Sequence, residues 1–242
     1  MTKDDYTHHI SQQFNAELET LRTHLMEMGG LVEKQLADAI VALVDGESGL
    51  ATVVLRMEPK INALEVMIDE ECQRILAKRQ PAASDLRLII AVSKCTSDLE
   101  RIGDESAKIA KMAINLAEEG ASPRGYVEAR HIGTLVRRMV HDTLDSFARL
   151  DAEKAINVAR SDKEVDVEYK SATRSLVTFM MEDPRSISRI LSVMWSLRAL
   201  ERIGDHARNV AEQVIYLVKG KDVRHTPLDE VEEKIVRPGS SS

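Results

Sequence analysis

Glu100 and Asp104 stand four residues apart, and so do Glu201 and Asp205. Residues at that spacing share one face of an α-helix, so each pair presents two carboxylates together. When exposed, the two acids repel by a few tenths of a kcal/mol. When buried, they need a cation or a guanidinium to neutralise them. Hard divalent cations take oxygen ligands, so Mg²⁺, Mn²⁺, Ca²⁺ or iron are natural counter-ions, with Zn²⁺ a further candidate. A glycine lies between the two acids of each pair, Gly103 and Gly204. Mid-helix glycine costs about 1 kcal/mol against alanine. A costly glycine beside a repelling pair, placed twice, points to a site where a neighbouring backbone approaches or an ion and its waters find room.

Both pairs belong to one pentamer, Glu100-Arg101-Ile102-Gly103-Asp104, which returns unchanged as Glu201-Arg202-Ile203-Gly204-Asp205. Two identical pentamers arise by chance in about one chain in a hundred of this length, so the chain reads as an internal duplication. The match extends outward at a constant offset of 101 residues, pairing Ile89 with Ile190, Val92 with Val193, Leu99 with Leu200 and Leu116 with Leu217. The bare acid-x-x-x-Asp spacing is a weak signal. It also occurs at Glu65/Asp69 and Asp162/Asp166, and about three cases are expected by chance in a helical chain this acidic. Identity within the repeat is what raises the two pentamers above that background. A solvated or arginine-paired acidic face explains all four pairs as well as a metal does.

Other candidate groups carry less. Glu128 and His131 have the Glu-x-x-His spacing of di-iron bundles, but that design needs two such pairs and further carboxylates. His206 reads as an exposed helical histidine, and His141 as surface or partly buried. Trp195, the sole tryptophan, reads as core or interface, and Met180, Met181 and Met194 as core. The chain has no Walker loop, dinucleotide fingerprint, Cys-x-x-Cys or nucleophile–base set.

Six long apolar stripes of helical period position these residues. The predicted helices span about 9–45, 47–78, 84–119, 128–150, 154–181 and 185–220. Gly29-Gly30 is a point where the first could bend, and Pro59 predicts a kink or restart in the second. Ala82-Ala83-Ser84-Asp85 offers an N-cap to the third. Asp45-Gly46-Glu47 is answered by Asp151-Ala152-Glu153, 106 residues on. The expected fold is all-α: two tandem antiparallel three-helix bundles, residues 1–120 and 125–220, joined by a Gly/Pro/Ser linker and followed by a frayed tail at 221–242.

Composition agrees. Of 242 residues, 43% are hydrophobic but only 3% aromatic, so the core must be aliphatic, as in helix-on-helix packing. The net charge of −7 argues against sequence-independent nucleic-acid binding. Cys72 and Cys95 in apolar helical settings read as buried free thiols of a reducing compartment. With a polar N-terminal stretch and no apolar run of membrane-spanning length, the expectation is a cytoplasmic protein.

These residues resemble the PhoU family of regulators of bacterial phosphate uptake. The resemblance rests on Leu99–Asp104, Leu200–Ala207, Pro81-Ala82-Ala83-Ser84-Asp85-Leu86-Arg87 and Met26-Glu27-Met28-Gly29, and extends to about Tyr216. It implies two three-helix bundles and carboxylate ligands to multinuclear iron or other divalent ions: Glu100, Asp104, Glu201 and Asp205, with Glu65, Asp69 and Asp166 from adjacent helices. Asn62 stands where an acid is expected in the first copy. The resemblance further implies a non-enzymatic negative regulator of the phosphate regulon, commonly a homodimer. Such a protein would bridge the ATPase subunit of the phosphate ABC transporter and the sensor histidine kinase PhoR, meeting the membrane only through those partners. Two other readings stay open: a di-metal carboxylate enzyme, which needs two metals about 3.5–4 Å apart in a closed site, and a metal-free structural adaptor.

Overall fold

The computed structural model describes residues 3–120, 126–224, 226, 230 and 231, with side chains from residue 12 onward. Its helices are α1 (Lys3–Asp45), α2 (Ser48–Arg79), α3 (Ala83–Glu118), α4 (Tyr126–Arg149), α5 (Ala152–Glu182) and α6 (Ile187–Lys219), and a single 3₁₀ turn, Pro184–Ser186, leads into α6. No described residue lies in a strand. Helices α1, α2 and α3 pack on one another, as do α4, α5 and α6. These are the two three-helix bundles expected from the apolar stripes.

The stripes close the core as their period dictates. Leu21, Leu25, Met28, Val32 and Leu36 of α1 are fully or almost fully buried, and Ile61, Ile68 and Ile75 of α2 answer them. Burying each such side chain contributes about 1.5–3 kcal/mol, which is why α2 tolerates Pro59 without restarting. Gly29 and Gly30 likewise lie inside an unbroken α1. At the start of α3, Ala82 occupies the cap position without a side-chain bond, and Ser84 and Asp85 fall inside the first turn instead.

The two bundles share one continuous core. α3 packs along α6 in the most extensive seam, and α1 along α4 in a second. A β-carbon on Gly29 would meet Leu144 Cδ2 at 2.4 Å, and one on Gly133 would meet Ile40 Cγ2 at 3.0 Å. The two contacts are reciprocal, since Gly133 and Leu144 follow Gly29 and Ile40 by 104 residues. The two halves are thus related by a pseudo-twofold axis.

That register corrects the sequence expectation. Gly46 (φ 74°) and Leu150 (φ 54°) both adopt the left-handed conformation, 104 residues apart, and Glu47 and Asp151 both cap the helix that follows. Asp45-Gly46-Glu47 therefore answers Arg149-Leu150-Asp151, not Asp151-Ala152-Glu153. The offset is 104 in the first two helices of each bundle and 101 in the third, so the stretch from Val165 to Ile190 is three residues shorter than its counterpart from Ile61 to Ile89.

Three further expectations change. Trp195 is 65% exposed and Met181 80% exposed, so neither is core. Val223 and Val231, in the region read as a frayed tail, are 3% and 2% exposed and join the core. They supply apolar anchors that the charged composition of the tail hides.

Candidate functional site

The α3–α6 seam is centred on Ile102 and Ile203, both buried. On one side of this pair, Arg202 reaches Glu105 at 2.6 Å, and Lys108 donates to the same carboxylate at 2.9 Å. On the other side, His206 Nδ1 lies 2.8 Å from Asp98, which also accepts from Asn209 at 3.2 Å. His206 is 7% exposed, in contrast to the surface position its sequence context suggests. The two helices run antiparallel, and the repeated pentamers meet back to back across this pair.

Gly103 and Gly204 face their own bundles. A β-carbon on Gly103 would lie 3.1 Å from Gln35 Oε1 and 3.5 Å from Ile61. One on Gly204 would lie 3.5 Å from Asp162 Oδ1 and from Val165. The space that glycine opens is filled by neighbouring side chains rather than by an approaching backbone. It lets α2 and α5 come close to the carboxylate pairs of α3 and α6.

In the first bundle Glu100 and Asp104 of α3 face Glu58 and Glu65 of α2. Burial pushes the Glu100 carboxyl up, and Asp104, Glu65 and Glu58 push it further. Glu65 is raised by burial first, then by Asp69 and Asp104. Asp69 itself sits one turn along α2, where it accepts a hydrogen bond from Ser93 Oγ at 2.9 Å. It borders the cluster through Glu65. Among the described residues no ion pair ties down Glu58, Glu65, Glu100 or Asp104, and the nearest compensating charge is the exposed Arg101.

In the second bundle Glu201 and Asp205 of α6 face Asp162 and Asp166 of α5. Burial raises the pKa of Asp162, Glu201 and Asp205, and the Asp205 charge raises both of the others further. Here cations intrude. Arg208 forks between Asp162 at 3.2 Å and Glu212 at 3.1 Å, and Arg198 donates to Glu201 Oε1 at 2.6 Å. Asp166 has Lys170 at 3.7 Å. Glu201 Oε2 is buried with no partner. The positions equivalent to Arg208 and Arg198 in the first bundle are Ala107 and Ser97, so the two clusters hold matching acids but different counter-ions.

Sequence reading omitted Glu58 from the site and gave Asp162 no role beyond its spacing. At the 104-residue offset Glu58 and Asn62 correspond to Asp162 and Asp166, and Glu65 to Tyr169. The first cluster therefore takes its fourth acid from Glu65, one turn beyond the Asn62 position. Glu58-x-x-x-Asn62 against Asp162-x-x-x-Asp166 was the available signal.

Both donor sets are wholly carboxylate oxygen and partly desolvated, and the first is short of positive charge, which suits a hard divalent cation. The orphaned Glu201 Oε2 is a donor aligned with that chemistry. Among the described residues no three acidic, imidazole or thiol groups already converge as a closed coordination sphere, so an ion would draw these side chains inward.

Comparison with known proteins fits this arrangement. The PhoU domain family matches residues 25–113 and 129–214, one match per bundle. The chain is 64% identical over 235 residues, 97% of each chain, to the phosphate-specific transport system accessory protein PhoU homolog of Pseudomonas aeruginosa. It is 47% identical over 225 residues, 93% of each, to the phosphate-specific transport system accessory protein PhoU of Escherichia coli strain K12. Its fold superposes on the crystal structure of PhoU from Pseudomonas aeruginosa with a TM-score of 0.85 at 65% identity, covering 86% of this chain and 100% of the other. For the phosphate transport system regulatory protein PhoU from Streptococcus pneumoniae the TM-score is 0.80 at 31% identity, covering 87% and 99%. These relatives are named as accessory and regulatory proteins, not enzymes. Matched along both bundles in sequence and in fold, the chain belongs to the PhoU family.

Proposed function

We propose that this protein is a cytoplasmic negative regulator of phosphate uptake, an adaptor between the phosphate ABC transporter and the sensor histidine kinase PhoR. The observation that carries the reading is the 64% identity, over 97% of both chains, to an accessory protein of phosphate-specific transport. Nothing in the helical architecture conflicts with it, and no described helix is long and apolar enough to cross a membrane. The protein would dock on the transporter's ATPase subunit and on the cytoplasmic region of the kinase, favouring the kinase's phosphatase state when phosphate is plentiful.

The carboxylate clusters would hold divalent cations: Glu58, Glu65, Glu100 and Asp104 in the first bundle, Asp162, Asp166, Glu201 and Asp205 in the second. A bound cation supplies positive charge to a face otherwise too acidic to approach a partner. The protein's own part is to hold four acids on two stiff helices at a fixed separation.

The experiment is binding of purified kinase cytoplasmic region and transporter ATPase subunit. Wild type is compared with Glu100→Ala/Asp104→Ala/Glu201→Ala/Asp205→Ala protein, each with chelator and with Mg²⁺ or Mn²⁺. Weaker binding by the variant and by chelated wild type is expected. Equal affinity in all conditions removes the cation from the mechanism, and no binding by wild type removes the adaptor role.

A further inference from the structure

Ile187, Leu191 and Trp195 recur every four residues on α6 and are 40%, 41% and 65% exposed. Steps of four drift only about 40° around a helix, so the three form one stripe. Arg198 and Arg202 continue it within the same ~80° arc. Across from them on α3 stand Met112, Lys108 and Glu105, and together the two helices wall an open groove of about 560 Å³. Trp195 and Met112 form its apolar half, and Leu191 extends the stripe beyond it, one turn before Trp195. The groove's other half is basic, with Lys108, Arg198 and Arg202 about half exposed.

Single exposed apolar residues are ordinary. An aligned stripe with the sole tryptophan beside three cations, on a chain of net charge −7, marks an interaction surface. Among the described residues the three cations contact two acids, Glu105 and Glu201. Each guanidinium has donors to spare beyond those contacts.

The other end of the same seam shows what such a surface accepts. At the 101-residue offset Trp195 corresponds to Lys94. Lys94 lies 5.9 Å over the Tyr216 ring, and the chain leaving α6 passes beside it. Asp222, held down to about 2 chiefly by Arg224, also feels the Lys94 ammonium, and the next residue, Val223, is buried. An acid followed by an apolar anchor thus covers that end. At the Trp195 end no described residue does the same.

We propose that the Trp195 groove docks an acidic segment of a partner protein, with aliphatic or aromatic anchors against Leu191, Trp195 and Met112 and carboxylates against Lys108, Arg198 and Arg202. The proposal rests on the adaptor reading, which supplies the need for a partner. A second copy fits poorly. Twofold pairing of the stripe would set one copy's arginines against the other's apolar half or its arginines, leaving the cations without acids.

Trp195, as the sole tryptophan, reports directly. Full-length protein is titrated with the kinase cytoplasmic region and, separately, with the transporter ATPase subunit. Trp195 emission and affinity are followed for wild type, Leu191→Asp, Lys108→Glu and a control, Val127→Asp, at the 76% exposed position on α4. Affinity alone is followed for Trp195→Ser. With one of the two partners, a blue shift of emission is expected in wild type. Trp195→Ser, Leu191→Asp and Lys108→Glu should each bind that partner at least roughly tenfold more weakly, the control should be unchanged, and added salt should weaken wild-type binding. Binding with unshifted emission and no loss in the groove variants overturns the groove and leaves the adaptor reading intact. Self-association of wild type that Trp195→Ser abolishes in sedimentation overturns it in favour of a second copy. Failure of both partners to bind wild type removes the adaptor reading and this one with it.

Discussion

Adjacent glycines in α1 should respond oppositely to the same substitution. Gly30→Ala places a methyl where nothing lies within 4 Å, so only the backbone term acts. Replacing a mid-helix glycine should then stabilise by about 0.8–1.0 kcal/mol. Gly29→Ala gains the same term but drives a methyl to 2.4 Å from Leu144 Cδ2 and 3.3 Å from Cδ1. Leu144 is 6% exposed in the α1–α4 seam, so its isobutyl end has little room to turn away. Overpacking of this kind costs about 1–3 kcal/mol, so Gly29→Ala should be neutral to destabilising by about 2 kcal/mol. The difference between the variants is about 1–3 kcal/mol. For a chain of this size that is about 2–12 °C in Tm. Thermal or urea denaturation of both proteins measures it. Leu144→Ala in the Gly29→Ala background should abolish the clash and give a favourable coupling, which a double-mutant cycle reads directly. If Gly29→Ala is as stabilising as Gly30→Ala, then α1 and α4 do not meet at Gly29. The reciprocal seam that fixes one bundle on the other would be wrong.

The raised carboxyls of Glu65, Glu100, Asp162, Glu201 and Asp205 bind protons more tightly folded than unfolded. Their stabilising contribution is full below the ordinary carboxylate range near pH 4 and is lost as pH rises through their elevated values. Urea unfolding of chelated protein should therefore show stability falling as pH rises above the ordinary carboxylate range, with Mg²⁺ or Mn²⁺ recovering the loss at pH 8; a flat profile contradicts the assignment. Glu201→Gln, which removes one of these charges, should raise Tm of chelated protein at pH 8 and change it far less at pH 5. Arg208→Ala strips the cation from buried Asp162 and Glu212 and should destabilise chelated protein by about 1–3 kcal/mol, part of which a divalent ion restores in a thermal-shift assay. The Cys72 thiol, pushed up to about 12 by burial, and Cys95, raised by deeper burial, should resist iodoacetamide at pH 8 until the protein is denatured.

The duplication, the six helices and both carboxylate pairs are legible from apolar period and residue identity. Each follows from short-range geometry that sequence spacing encodes directly. The site's completion is not. Which acids on α2 and α5 face the pentamers depends on the register between helices. That register shifts from 104 to 101 residues between mid-α5 and mid-α6, a change no apolar stripe records. A local match of Asp-x-Glu mispaired Gly46 with Ala152, although Gly46 and Leu150 share a left-handed φ. His206 reversed expectation, and Trp195 lost the core half of its core-or-interface reading, for a related reason. Hydrophobicity and polarity set the average burial of a side chain, but these two lie along the seam between bundles. There Asp98 makes a buried histidine affordable, and no described segment covers the tryptophan.

The imbalance in counter-ions argues that the two clusters do different work. Duplication accounts for three acids of each, and only the second cluster has guanidinium groups bonded to its acids. Arg208 and Arg198 in the second bundle hold Asp162 and Glu201 in the absence of any ion, so a metal entering there must compete with charge already in place. Ala107 and Ser97 leave the first cluster without such support. Its acids relieve their mutual repulsion only by taking up protons or a cation. A cation loading both bundles should therefore bind first, and with the larger gain in stability, at Glu58, Glu65, Glu100 and Asp104.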